Sequence, residues 1–171
     1  MNFPERPKGL SNVVSIKDKE QVIGLLRGDP FLFRQHWLGQ KAFMCEGDEC
    51  KHCRDGLKST FRFRMNIIVG ENKVWVVKIL EQGGKVYDAL KGLADAGYDL
   101  KKTFITISRS GSTQQNTYYT VLPHPSLKVE ATGEAQFSKL VLNNLNPNAK
   151  DDDYLHDADS FDPDTFGEIT A

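Results

Sequence analysis

Residues 61–67, Phe-Arg-Phe-Arg-Met-Asn-Ile, alternate apolar and polar side chains without a break. Because successive side chains of a β-strand point to opposite faces, this pattern predicts a strand with one apolar and one polar face. A turn at 70–72 separates it from a second apolar segment at 73–80, Lys-Val-Trp-Val-Val-Lys-Ile-Leu. The two segments predict a β-hairpin, which places the chain among mainly β proteins.

Further elements are predicted on both sides of the hairpin. Ser15 is a suitable cap for a short helix over 15–27, and Gly28 and Pro30 would end that helix. The other predicted elements are a strand, a helix and two strands, at 35–44, 85–96, 103–108 and 117–122. A last short helix is a candidate around 135–143. Five strands with one helix between strands 3 and 4 predict a five-stranded OB-fold barrel.

All three cysteines of the chain lie within nine residues, in the segment Cys-Glu-Gly-Asp-Glu-Cys-Lys-His-Cys at 45–53. Cys45, Cys50 and Cys53 supply thiolates, and His36, separated from the first of them by eight residues, supplies an imidazole. Zinc binds four such ligands tetrahedrally, and a closed set of four is typical of a structural site. The spacing predicts one structural Zn²⁺ per chain, in a loop inserted at 45–58.

The fourth zinc ligand has two candidates. His52 lies inside the Cys50–Cys53 turn, where backbone amides usually point at the sulfurs, so its ring is expected to face outward. His36 is therefore the predicted ligand, and His52 stays the alternative. Three reduced thiols packed as small hydrophobic side chains are the plainer interpretation, which the charged surroundings of the cysteines disfavour.

The net charge of −1 conceals an asymmetry. Residues 151–171 contain eight acidic residues and no Lys or Arg, so residues 1–150 hold 22 basic against 15 acidic residues, a net charge of about +7. The chain is predicted to divide into an N-terminal arm with the short helix (1–30), the OB-fold (31–145) and a disordered acidic tail (146–171). A basic body with an acidic tail is typical of polyanion-binding proteins.

Binding to a nucleic acid strand without sequence preference requires basic side chains for phosphates and aromatic rings on which bases stack. The predicted strands interleave the two kinds of residue. The predicted DNA-binding residues are Arg34, Trp37, Arg62, Arg64, Lys73, Trp75, Arg109, Tyr118 and Tyr119. Each has a plainer alternative: the tryptophans are as suited to packing, Arg62 and Arg64 to a solvated strand face, and one of the adjacent tyrosines to the core.

These features resemble the zinc-containing single-stranded DNA-binding (helix-destabilising) proteins of tailed phages. The resemblance rests on the His-x8-Cys-x4-Cys-x2-Cys pattern, the acidic tail, Ile107–Ser112 (ISRSGS) and His36–Leu38 (HWL). It implies an OB-fold in which His36, Cys45, Cys50 and Cys53 bind zinc. The zinc spacing here is shorter than in the best-known members, which predicts a smaller loop.

The function expected from residues and resemblance is sequence-independent single-stranded DNA binding in replication, recombination and repair, without enzymatic activity. The acidic tail would recruit replication or recombination proteins, and self-association is left open. The alternatives are a zinc-stabilised protein-interaction module and an RNA-binding or transcription accessory protein. No stretch approaches 18 apolar residues, so no membrane partner is expected, and the predicted location is the cytoplasm, that of the host if the protein is phage-encoded.

Overall fold

The computed structural model of the protein describes residues 12–113, 115–129 and 131–147. These residues form a mainly β structure, as predicted. The strands are β1 (Gln21–Leu38), β2 (Lys41–Met44), β3 (Thr60–Glu71), β4 (Val74–Gly83), β5 (Thr103–Ser110) and β6 (Tyr118–Lys128). The α-helices are α1 (Lys51–Arg54), α2 (Gly84–Asp95) and α3 (Ala131–Ser138), and a 3₁₀ turn covers Gly47–Glu49.

The strands form one antiparallel sheet in the order β4-β3-β1-β5-β6, with β2 paired to the end of β1. The predicted hairpin at 61–80 is confirmed as β3 and β4. Its turn is centred on Asn72 and Lys73, which both have positive φ angles, 48° and 65°. Such a two-residue turn matches the twist of the strands it joins. Among the described residues no ladder joins β4 to β6, so the sheet is open.

The predicted helix over 15–27 is wrong, because most of that segment belongs to the 18-residue strand β1. Val22 and Leu26 pack on one side of the sheet, and Ile23 and Leu25 pack on the other. A strand buried on both faces has a continuous apolar run, which sequence periodicity does not separate from a buried helix. The predicted helix stop at Gly28 is instead a bulge in β1, where the pairing with β3 shifts register.

The strand predicted at 35–44 is also divided differently. It comprises the last residues of β1, a turn at Gly39 with φ +63°, and β2. The described sheet therefore has six strands where five were predicted. The helix predicted at 85–96 is confirmed as α2, which buries Val86 and Leu90. The last predicted helix begins earlier, at Ala131.

Each face of the sheet covers a hydrophobic core. The larger core packs the sheet against α2 and the segment around Ile16, and its centre contains Leu26, Phe63, Ile67, Leu80 and Ile105. The smaller core, on the opposite face, joins Leu25, Ile68 and Phe104 to Phe137 of α3. No helix in the described part of the chain is long and apolar enough to cross a membrane. The acidic tail at 151–171 lies outside the described residues.

Candidate metal centre and nucleic-acid surface

The structure brings His36, Cys45, Cys50 and Cys53 together at one end of the sheet. Their ligand atoms all lie within 4.8 Å of one another. His36 Nε2 is 3.4 Å from the Sγ atoms of both Cys50 and Cys53, and Cys45 Sγ is 3.6 Å from Cys53 Sγ. A tetrahedral zinc ion separates its sulfur ligands by about 3.8 Å and a sulfur from a nitrogen by about 3.5 Å. The four residues could therefore bind one metal ion, and the donor set suits zinc.

Local backbone geometry positions the three cysteines. The Cys45 N–H donates to the carbonyl of Arg34 at 2.7 Å, which fixes the chain beside β1 as it leaves β2. The Cys50 N–H donates to Gly47 O at 3.0 Å, in a turn where Gly47 has φ +81°. Cys50 then precedes the single helical turn α1, which contains Cys53. The Cys-x2-Cys spacing thus becomes one tight turn that directs both sulfurs to the same point.

His36 is oriented by its second ring nitrogen. It is fully buried, and its Nδ1 lies 3.0 Å from the carbonyl oxygen of Lys58. Because a carbonyl only accepts hydrogen bonds, Nδ1 carries the proton and Nε2 presents its lone pair to the cysteines. The ring of His52 instead packs against Phe43, with centroids 5.2 Å apart, and lies outside the ligand cluster. The geometry favours His36 as the nitrogen ligand.

The surroundings of the cysteines shift the pKa values of two of the thiols in opposite directions. The backbone N–H groups of Glu46 and Cys53 are the main cause that lowers the pKa of Cys50, to about 6. A hydrogen bond to Cys45 is the main cause that raises the pKa of Cys53, to about 11. Cys50 is thus the thiol that its surroundings favour as a thiolate, and the backbone amides around it are of the kind that usually surround metal-bound sulfur. This arrangement suits a cation at the centre of the cluster.

Arg62 and Arg64 share a face of β3, as the alternation predicted, but both are buried, at 1% and 0% exposure. Arg64 Nε donates to Glu81 Oε2 at 2.6 Å, and Arg62 approaches Glu81 Oε1 at 3.5 Å. Glu81, opposite Arg64 on β4, is itself 2% exposed. Neither guanidinium is a solvated surface group in this conformation, so the expectation of an open polar strand face is corrected. Their contact with DNA stays a prediction.

The other basic residues occupy three kinds of position. Arg34 is exposed, and its guanidinium donates to Ser59 Oγ at 2.8 Å and to Ser59 O at 2.9 Å. Lys73 is exposed in the β3–β4 turn. Arg109 is buried and binds the carbonyl of Ile16 at 3.3 Å, so it fastens the segment before β1 to β5.

The aromatic candidates are also spread over the sheet. Trp37 is half-buried next to His36 in the chain, and Trp75 is half-buried in a cluster with Phe104 and Phe137. Tyr118 is 67% exposed, whereas Tyr119 packs against the larger core. The structure thus assigns the inward position to Tyr119. These residues are not gathered around a single point.

The sequence reasoning missed part of one sheet face. By register, Arg27 lies opposite Asn66, Phe31 opposite Arg64 and Phe33 opposite Arg62. We name this side of β1, β3 and β4 the arginine face; its members are Arg27, Phe31, Phe33, Arg62, Arg64, Asn66, Trp75 and Glu81. The alternation of 61–67 could have been extended to the paired strand β1, and the face found, if β1 had been recognised as a strand.

Scans of protein-family models, of curated proteins and of solved structures gave no match.

Proposed function

We propose that the protein binds single-stranded DNA without sequence preference, as a non-enzymatic factor in DNA replication, recombination and repair. The observation that carries the proposal is the sheet order. The five long strands, numbered 1 to 5 along the chain, are β1, β3, β4, β5 and β6. In the sheet the first four of them lie in the order 3-2-1-4, which is a Greek key. With α2 between the third and fourth strands, this arrangement supports an OB-fold.

The arginine face supports a nucleic-acid ligand. OB-folds bind oligonucleotides on the face of strands 2 and 3 and on the loops beside it. Here those strands are β3 and β4, whose shared face is the arginine face. Arginines of β3 on this face lie opposite phenylalanines of the neighbouring strand β1. Among the members named for this face, three arginines accompany one glutamate, which is paired to two of them, so its own side chains carry more positive than negative charge. Exposed cations at Arg34 and Lys73 extend the charge to both ends of the sheet.

The metal centre is proposed to hold one structural zinc per chain. The loop that contains the three cysteines, residues 45–59, is named the metal loop here and joins β2 to β3. It therefore lies between the first two long strands, where an OB-fold has one of its ligand-binding loops. Zinc would fix this loop, which has a short helical turn and few buried residues of its own. Four protein ligands leave the metal no open position for water, which supports a structural role rather than a catalytic one.

The tail at 151–171 is proposed to recruit replication or recombination proteins. It combines a charge of −8 with aromatic anchors such as Tyr154, Phe161 and Phe166, a composition typical of short recognition motifs. At low DNA load the tail would also compete electrostatically with phosphates for the basic body. Removing it should raise DNA affinity most at low salt, where screening is weakest.

A protein-interaction module is the second candidate, because β6 is an edge strand of the described sheet and has exposed apolar side chains. Tyr118, Leu122 and Leu127 are 67%, 56% and 41% exposed. Such an edge can add an extended peptide as a further strand. In this alternative the metal loop and sheet would serve only as a scaffold.

Anisotropy titration of labelled 20-mers of single-stranded DNA, duplex DNA and RNA decides between these candidates. The proposal predicts the tightest binding to a thymidine homopolymer, with log affinity falling linearly against log salt by roughly 0.7 per phosphate contact. Arg34→Ala should reduce that slope, and Lys91→Ala, on the far helix α2, is its matched control. Equal, weak binding to all three probes would refute the proposal and favour the protein-interaction module. Preference for RNA would redirect it to RNA.

A further inference from the structure

Residues 135–147, named the strap here, lie against the arginine face. Phe137 is the principal contact: it is 5% exposed and lies edge-on to two rings of the sheet. Its centroid is 5.2 Å from that of Trp75, at 83°, and 6.0 Å from that of Phe104, at 70°. The guanidinium of Arg27 lies 6.0 Å from the centre of the Phe137 ring. Phe137 therefore occupies the aromatic and cationic surroundings that a nucleobase would use.

Asn143 fastens the strap a second time. Its backbone N–H donates to Asn66 Oδ1 at 2.8 Å, and Asn66 Nδ2 donates to the Asn143 carbonyl at 3.2 Å. The Asn143 side chain also donates to the Val77 carbonyl at 3.2 Å. Asn66, part of the arginine face, is 2% exposed with the strap in place, so the strap supplies hydrogen-bond partners to a buried polar side chain.

Between and around these points the strap is loosely packed. Val141 is 87% exposed and Leu142 is 44% exposed, although both are apolar. Leu140 adds a partly buried contact with the smaller core. Leu145 is half-buried and Pro147 is buried, but most residues of the strap are exposed. A segment anchored at a few points, with most of its surface in water, is of the kind that opens locally without global unfolding.

The same two rings already border an open groove. A cavity of about 470 Å³ is lined by Trp75 and Phe104 together with Ile23 and Leu127. Lys78 lies at this groove, where it is paired with Glu71. A ligand can therefore reach the Trp75 ring from the groove while the strap still holds the other side.

We propose that the strap is a displaceable cover over a base-stacking site formed by Trp75 and backed by Phe104. Bases of a single strand replace Phe137 on Trp75, and the Asn143 contacts with Asn66 break as the strap leaves. This inference rests on the proposed single-stranded DNA binding and identifies where a base is held. The contacts broken are apolar or between uncharged amides, except for Arg27, so this inhibition is insensitive to salt, unlike competition by the acidic tail.

The test uses the full-length, zinc-loaded protein and a fluorescein-labelled thymidine 12-mer. Phe137→Ala and Asn143→Ala each raise the fraction of open protein, so the apparent Kd falls by roughly five- to tenfold in both low and high salt. Val141→Ala, an apolar change on the exposed side of the strap, is the matched control and leaves the Kd unchanged. Adding Trp75→Ala to Phe137→Ala removes the gain, because the stacking ring is lost.

Hydrogen exchange supplies a second measurement. The amide of Asn143 is protected in the free protein by Asn66 Oδ1, and adding the 12-mer should accelerate its exchange. Slower exchange on adding the 12-mer would overturn the inference. So would a wild-type protein that binds the 12-mer as tightly as folded Phe137→Ala and Asn143→Ala variants. If Phe137→Ala lowers the unfolding midpoint too far for titration, Asn143→Ala, which leaves the aromatic cluster intact, decides alone.

The outcomes separate this inference from the function on which it rests. Wild-type binding with no gain in either strap variant overturns the displaceable cover and leaves the proposed function standing. Absence of binding in the wild type and in both variants overturns the two together. Binding that appears only in the strap variants supports both, with the strap almost fully closed in the free protein.

Discussion

Arg64 donates to Glu81 across 2.6 Å at a position where both side chains are almost completely excluded from solvent. The pair joins β3 to β4 directly across the sheet, and Arg62 approaches the second oxygen of the same carboxylate. Among the described residues, two guanidiniums thus converge on one buried carboxylate. Glu81 thus stabilises both arginines inside the sheet.

Replacing Glu81 by Gln should therefore strongly destabilise the fold. Removing one partner of a buried ion pair leaves an uncompensated charge, which costs about 3–5 kcal/mol. Urea unfolding followed by tryptophan fluorescence measures the loss. Asp95→Asn is the matched control, because it removes an exposed partner of Lys91 on α2 and should leave the unfolding midpoint unchanged. Equal effects of the two changes would contradict the importance of burial at Glu81.

The sequence predicted that these arginines lie on the same face of one strand, but it did not predict their burial. Alternation within 61–67 is a local signal, so it correctly placed Arg62 and Arg64 on one face. Their shared partner, Glu81, is 17 residues from Arg64 in the chain, and no local pattern connects the two. The helix wrongly predicted over 15–27 has a similar cause, since Ile23 and Val22 pack into different cores that only the complete sheet creates.

The metal cluster was more predictable because its signal is chemical as well as local. Thiols and an imidazole at close spacing have few other uses among charged neighbours, and the loop geometry then directs them together. The choice of His36 over His52 depended on where a turn points its backbone amides. The strap was not foreseen, because the contact between Asn143 and Asn66 joins residues 77 positions apart.

Zinc analysis of the purified protein should give one ion per chain. Cys50→Ser should lose the metal and lower the thermal midpoint by roughly 5–10 °C, because bound zinc contributes directly to folding free energy. His36→Ala should also lose zinc, whereas His52→Ala, its matched control, should retain it. Retention of a full complement of zinc by Cys50→Ser would contradict the proposed ligand set. Zinc loss in His52→Ala but not in His36→Ala would identify His52, instead of His36, as the nitrogen ligand.

Zinc affinity should fall as the pH is lowered, because each ligand must be deprotonated to bind. The pKa of Cys50 is lowered to about 6, so this thiol is mostly ionised near neutral pH and takes up a proton as the pH falls through that value. The pKa of Cys53 is raised to about 11, so zinc binding near neutral pH must release its proton. Affinity should therefore decrease from alkaline to neutral pH and more steeply below about pH 6. Competition with a chromophoric chelator across this range, corrected for the chelator's own protonation, measures the slope, and a pH-independent affinity would contradict it.

A pair of glycine substitutions tests the packing of the sheet separately from its charges. A Cβ added to Gly24 in β1 would lie 2.5 Å from Ile67 Cγ1 and 2.8 Å from the carbonyl of Ile68, so Gly24→Ala forces the larger core apart. Overpacking of this kind costs about 1–3 kcal/mol. A Cβ added to the exposed Gly92 of α2 would meet no described atom within 4 Å beyond its chain neighbours and the helix's own backbone, so Gly92→Ala should instead stabilise the helix by roughly 0.5–1 kcal/mol. Urea midpoints that move in opposite directions confirm the close approach of β1 to β3, and a neutral Gly24→Ala would show that the two strands are not packed at this point.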